Sequence, residues 1–458
     1  MNSKILLLAE SIRKFLRRNM VPNLKNLINK AHPSDIAAAI EILKPFNREK
    51  LFKFMIEHNI EKAAEVLIEL EEHLIKSILD LFDDETTAAI LKLLSTDDAV
   101  AILDYIDDEE KKEKILQLIH DSEKVEEQLL YQDETAGRIM TTDFFSLNHN
   151  LTVKEAIEKL HQLEEKAEMV FYLYLVDDNQ RLTGVMSLRQ LLLSNPDAKL
   201  KEVMQKDIIS VRVDTDQEEV ARLVSQYDLL AIPVVDHDGK LVGIITVDDV
   251  IDIIKEEAAE DIYRLAGTSE EEILYKGHPF KIAKIRLPWL LPAFAGTFVV
   301  ASLLDLISVK FSYFAIFVVF MPMINAAAGN IGIQSSTIMA RELAVNEMEG
   351  SIWKEVFSTQ FRVGVIIGIL YALIAFTFSF ILAKPVHLPK LIVSISVGIA
   401  MFIAIIISSV YGSFLPIFLK KMGVDPAVAT GPFVAASNDI LGTIIYFSVA
   451  YNIVHLLQ

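Results

Sequence analysis

The chain contains no cysteine and only two tryptophans among its 458 residues. Without a thiol there is no disulfide, no thiolate metal site and no cysteine nucleophile. Histidine is sparse as well. The ten present include no pair at i, i+3 or i, i+4 and no HExxH, so a zinc-hydrolase centre has no ligands. The order of a cleavable leader is also missing, because the apolar run from Met1 to Ala9 precedes basic Arg13, Lys14, Arg17 and Arg18. Positive charge is in deficit, with 44 Lys and Arg against 63 Asp and Glu. The deficit is one-sided: 33 against 56 up to Phe280, and 11 against 7 beyond it. A basic footprint for nucleic acid is therefore absent, and the acidic part suits a cation or a basic partner.

What is present beyond Arg286 is apolar length. Runs long enough for a hydrocarbon core of roughly 30 Å occur at Leu287 to Leu306, Tyr313 to Met339, Thr359 to Ala383, Leu391 to Phe418 and Ala427 to Val454. Five spans place the termini on opposite sides. Lys281, Lys284, Arg286, Arg341, Lys354, Arg362, Lys420 and Lys421 fall on one side, and Lys310, Lys384 and Lys390 on the other. The positive-inside bias then predicts a multi-pass protein of the cytoplasmic membrane, with its N-terminus inside and C-terminus outside.

The acidic part divides in two. Residues 1–130 read as short amphipathic helices, each preceded by a cap-like run: His32-Pro33-Ser34-Asp35, Asp83-Asp84-Glu85, Ser95-Thr96-Asp97-Asp98 and Asp107-Asp108-Glu109-Glu110. We expect a small helical superhelix there. Residues 137–260 hold an internal repeat. Val176-Asp177, Leu182, Gly184, Ser187 and Leu188 recur 59 positions later as Val235-Asp236, Leu241, Gly243, Thr246 and Val247, while Met140 and Ser146 recur after 64 as Met204 and Ser210. Each unit carries two apolar strands around an Asp/Gly turn and then a helix. The pair resembles tandem CBS modules, at 137–200 and 201–260. Residues 251–285 form a charged connecting segment, helical in its first part, that leads to the pore domain at 286–458.

Chemistry concentrates in the fifth span, where Asp439 stands in an otherwise apolar helix. A carboxylate there costs at least about 2.5 kcal/mol and is functional by default. No Lys or Arg lies deep in any span to pair with it. Small residues surround it, including Ala427, Ala429, Thr430, Gly431, Ala435, Ala436, Ser437 and Gly442, and allow close backbone approach. The second span contributes Asn325, Asn330, Gln334, Ser335, Ser336 and Thr337. Oxygen donors without thiol or imidazole suit a hard cation, and Mg2+, which keeps several waters, fits a wide polar pore contacting it through water. One Asp under-balances a divalent ion, so two copies with paired Asp439 residues are expected. Oxygen chemistry alone leaves Co2+, Mn2+, Zn2+ and Ca2+ open. A CBS-regulated membrane enzyme has no Ser/His or Cys machinery in the spans, and an anion channel is opposed by the buried acid.

A second acidic group, Asp216, Glu218, Asp228, Asp249, Asp252, Glu257, Glu260 and Asp261, crowds the second repeat and the helix after it. Their mutual repulsion favours separation, and a divalent cation bridging them would remove it.

The runs Gly329-Asn330-Ile331-Gly332-Ile333-Gln334-Ser335 and Asp425-Pro426-Ala427 through Asp439 resemble those of the MgtE family of Mg2+ channels, and the resemblance extends over nearly the whole chain. It implies a multidomain homodimer in membrane lipid: an α-helical N-terminal superhelical domain, α/β tandem CBS domains, a connecting plug helix and an all-α five-helix transmembrane domain. It further implies Mg2+ as substrate and regulator, Asp439 as the pore carboxylate with Asn330, Gln334, Ala435 and Gly431 lining the pore, and regulatory Mg2+ sites on the acidic residues above and on Asp97. High internal Mg2+ would hold the plug helix against the pore. Gly431 stands where some members carry Asn, and Ala328 where the family often has Gly. CBS pairs often bind adenine nucleotides, and Thr246 with Asp249 has the Thr-x-x-Asp arrangement for ATP, whereas the first repeat has Ser187 and Gln190.

Overall fold

A computed structural model describes residues 3–106, 108–119, 122–162, 171–269, 272, 275, 278–345, 352–383, 388–426 and 431–457. Asp107, Lys384, Ala427, Ala429 and Thr430, singled out above, lie outside the described residues. The chain divides into two compact units, Met1–Glu257 and Ala258–Gln458.

The first unit begins with ten short helices among the described residues, from α1 (Ser3–Arg17) to α10 (Ser122–Leu129), and these include α8 (Thr96–Asp104). They share one apolar core running from Ile12 through Leu51, Phe52 and Leu67 to Leu103 and Ile115. Short helices are marginal alone, so this burial and the caps between them hold the array together. Asp83 accepts from the amide of Thr86 (2.9 Å) and Asp108 from that of Glu110 (3.0 Å), which is the expected cap chemistry. Ser95 departs from it: no cap bond forms, and its hydroxyl donates to Asp98 Oδ2 (2.9 Å).

The repeat folds into two three-stranded sheets of the same order. In the first, β1 (Ser146–Asn148) runs parallel to β2 (Tyr172–Val176), which pairs antiparallel with β3 (Leu182–Ser187). In the second, β4 (Val211–Arg212), β5 (Ala231–Val235) and β6 (Leu241–Thr246) repeat that pattern. Leu175 pairs with Gly184 and Val234 with Gly243, each with a register shift one residue on. The two halves interlock. Met204 fills the space a Cβ on Gly184 would need, and Met140 does the same at Gly243. Met140 therefore belongs to the core of the second sheet, and Met204 packs on the core of the first.

After β6 a single helix, α16, runs Val247–Ala266. It starts four residues before the expected connecting segment and ends well short of residue 285. In the second unit, five helices among the described residues are long and apolar enough to cross a membrane. These are α17 (Pro279–Lys310), α19 (Met321–Val345) with the short turns before it, α20 (Ile352–Leu382), α21 (Lys390–Lys421) and α22 (Pro432–Leu457). The chain is a membrane protein. The first span is longer than its apolar run, because helix begins at Pro279, where the missing amide of proline is tolerated. α21 is the most buried of the five and packs on α19, α20 and α22. Small side chains on it, Ser394, Ser396, Gly398, Ser408, Ser409, Gly412 and Ser413, permit that approach.

Candidate functional site

Asp439 is the eighth residue of α22, two turns in from Pro432, and is half-buried within the chain. Among the described residues no cation pairs with its carboxylate. Ala435 lies one turn before it on the same stripe of α22 and is also half-buried. On α19, Asn330 and Gln334 are four residues apart and both exposed, and among the described residues neither side chain has a hydrogen-bond partner. Polar groups in a span cannot be left to lipid at low cost, so these stripes call for water, an ion or a second polar surface.

The remainder of the second-span motif does different work. Gly332 and Ser335 face inward, and Ser335 meets Ser409 (3.1 Å) and Gln360 (3.4 Å). Gly442 and Thr443 of α22 rest on Asn325, whose amide donates to Thr443 (3.4 Å). Ala436 packs against Gly296 of α17. The small residues of α22 thus serve helix packing.

Gly431 has a positive φ of 59°, and a Cβ on it would lie 2.5 Å from the carbonyl oxygen of Leu265. Beside this contact Arg264 bridges Glu260 on its own helix and Asp425 in the loop before α22. Asp261, largely exposed, has its carboxyl raised by partial desolvation first and then by the charge of Asp425. Glycine at 431 is needed because the end of α16 comes this close and the backbone turns left-handed. Arg264 and Asp425 were not predicted as partners; they lie 161 residues apart.

In the first unit the acids do not form one cluster. Asp97 and Asp98 open α8, Asp248 and Asp249 open α16, and the two helix starts meet. Helix N-termini favour negative charge, which lets four carboxylates gather. Burial pushes the Asp97 and Asp98 carboxyls up to about 6. Burial and then the charge of Asp97 push Asp249 up to about 7. Asp97 Oδ1 is shielded from solvent and has no partner among the described residues. Asp98 and Asp248 were missed at the sequence level, although an Asp-Asp pair at two helix starts is a readable signal.

The other predicted residues stand apart. Asp216 caps the helix Gln217–Gln226 by accepting from the amide of Glu218 (2.9 Å), and Glu257 accepts from Gln217 (2.6 Å). Asp228 is exposed with a positive φ of 50°, and Asp252 pairs with Lys255 (2.7 Å). Among the described residues no group of three or more His, Asp or Glu is arranged as a ready metal cage. Thr246 is buried and its hydroxyl donates to Asp249, so in this structure the two side chains engage each other. A cavity of about 660 Å³ lies beside the first repeat, lined by Tyr172, Ser187, Arg189 and Leu230 among others.

Comparison with known proteins bears on both regions. The family model of the MgtE intracellular N domain matches residues 31–134, the CBS domain model matches 136–195 and 200–256, and the MgtE divalent cation transporter model matches 321–449. The chain is 32% identical to the magnesium transporter MgtE of Thermus thermophilus over 449 residues, covering 97% of this chain and 98% of that protein. The chain belongs to the MgtE family. The Bacillus subtilis magnesium transporter MgtE is 32% identical, covering 96% of each chain. A crystal structure of the cytosolic domain of the Mg2+ channel MgtE in complex with ATP is similar to 54% of this chain and 99% of its own, at 34% identity and a TM-score of 0.51. Membership accounts for the division into an N domain, a CBS pair and five spans, and it makes this a transport protein.

Proposed function

We propose that the chain conducts Mg2+ through a homodimeric pore, inward across the cytoplasmic membrane, under control of internal Mg2+. The observation that carries this reading is the Asp439 carboxylate, unpaired among the described residues, with Asn330 and Gln334 likewise unpartnered among them on the exposed stripe of α19. Two such carboxylates balance a divalent ion, and amide oxygens meet its water shell. Family relatives named as magnesium transporters support the choice of ion over Co2+, Mn2+, Zn2+ or Ca2+. Basic residues concentrated on the loops that fall on the same side of the spans as Arg286 support an N-terminus inside.

The regulatory reading rests on Asp97, Asp98, Asp248 and Asp249. Their donor set is hard oxygen, and Asp97 Oδ1 is buried without a partner among the described residues; with no preformed cage there, a divalent cation would draw these carboxylates together rather than enter a ready site. Bound there, Mg2+ neutralises like charge. The residues themselves then hold the starts of α8 and α16 together. Glu257, Asp216 and Glu218 offer a weaker set at the start of the helix Gln217–Gln226. For ATP, the cavity at Arg189 is the favoured place, since its guanidinium can meet phosphate beside an apolar wall.

The test is Mg2+ uptake into liposomes containing wild type or Asp439→Ala. Loss of flux is expected; undiminished flux would remove the pore assignment.

A further inference from the structure

The residue before Asp439 faces the other way. Successive helix residues are turned by about 100°, and Asn438 is fully buried where Asp439 is not. Its Oδ1 accepts from Ser408 Oγ of α21 (3.0 Å). Its Nδ2 occupies the place a Cβ on Gly332 of α19 would take. Gly332 in turn touches α21 so closely that a Cβ on Gly412 would overlap its carbonyl. Three helices therefore meet on one amide.

A buried amide among apolar spans is costly unless it serves a purpose, and a leucine would fill similar space without a directional bond. What the bond adds is a fixed rotation of α22. One turn on, Thr443 donates to the carbonyl of Asp439 (2.7 Å) and accepts from Asn325. The turn carrying Asp439 is thus pinned on two sides, to α21 through Asn438 and to α19 through Thr443. Side-chain ends stand about 5–6 Å from a helix axis, so a rotation of about 20° moves the carboxylate by about 2 Å. That is several times the roughly 0.2–0.6 Å by which Mg2+ and Ca2+ ligand distances differ, so a rotation of only a few degrees already matters.

We propose that Asn438 is a positioning residue that sets ion discrimination: clamped by Ser408 and seated on Gly332, it fixes the rotation at which Asp439 faces the pore. The inference rests on Asp439 being the pore carboxylate. It concerns selectivity between Mg2+ and the larger Ca2+ rather than the presence of flux.

Full-length protein in liposomes is assayed for Mg2+ and Ca2+ flux as wild type, Asn438→Ala, Ser408→Ala, the double variant, Ser408→Thr and Asp439→Asn. The Mg2+/Ca2+ flux ratio should fall about fivefold in Asn438→Ala and in Ser408→Ala, with no further fall in the double variant, as expected for one shared interaction. Ser408→Thr keeps the hydroxyl and should keep the ratio. Equal loss of both fluxes with an unchanged ratio would reduce Asn438 to a packing residue and overturn the proposal. Should Asn438→Ala fail to assemble, Ser408→Ala removes a single oxygen and decides alone. Full flux in Asp439→Asn would instead overturn the pore reading, an outcome separate from the others.

Discussion

Asp249 at the start of α16 lies close enough to Asp97 at the start of α8 that the charge of one raises the carboxyl of the other. Each holds its place in a helix N-terminus, so neither can turn away without unwinding its own first turn. The meeting of the two helices is accordingly opposed by charge and favoured by whatever removes it. Asp249→Asn removes one charge and keeps the shape. Protease resistance of residues 1–257 in the full chain should then rise without Mg2+, and its dependence on Mg2+ should flatten. A wild-type Mg2+ response in the variant would show that the junction is not the sensor.

Acidity should act in the same direction. Asp97 and Asp98 titrate near 6 and Asp249 near 7, all above the ordinary 3.8. Between pH 4 and 7 the closed junction binds more protons than the open one. Closure is therefore favoured as pH falls and loses that support as pH rises through 6 to 7. Protection measured without Mg2+ should increase from pH 8 to pH 6, and the increment added by Mg2+ should shrink. A Mg2+ increment constant across that range would argue against these carboxylates.

The contact at Gly431 predicts a leak. Arg264→Ala leaves Glu260, Asp261 and Asp425 to repel one another, and a pair of this partial exposure is worth roughly 1 kcal/mol, or about fivefold in the balance of docked and released states. Gly431→Ala adds a Cβ against Leu265 and a left-handed strain of about 1–2 kcal/mol. Both should raise Mg2+ flux when Mg2+ is high on the side bearing residues 1–257. Flux still shut at wild-type levels in both variants would mean that this contact does not gate.

Periodicity and apolar length made the five spans, the repeat and the isolated acid Asp439 legible before any coordinates. Local signals carry such features, since a span or a 59-residue repeat is written along the chain. The Asp97 to Asp249 meeting was half legible: both residues were named, but the partnership joins segments about 150 positions apart. Gly431 was read as pore lining; its left-handed backbone and the nearby carbonyl of Leu265 give a separate reason for glycine there, one that no local pattern carries. Asn438 carried no expectation at all. Its role depends on Ser408 and Gly332, which only packing brings to it.

The crossed methionines of the CBS pair bear on how such a chain assembles. Met140 completes the sheet that holds Gly243, and Met204 completes the sheet that holds Gly184. A single half made alone would lack its own methionine plug and carry one cut for another half. Two copies of one half would then pair with each other by the same fit. The present chain contains both copies tethered in sequence, so severing the link near residue 200 leaves two mutually dependent fragments rather than two free-standing domains.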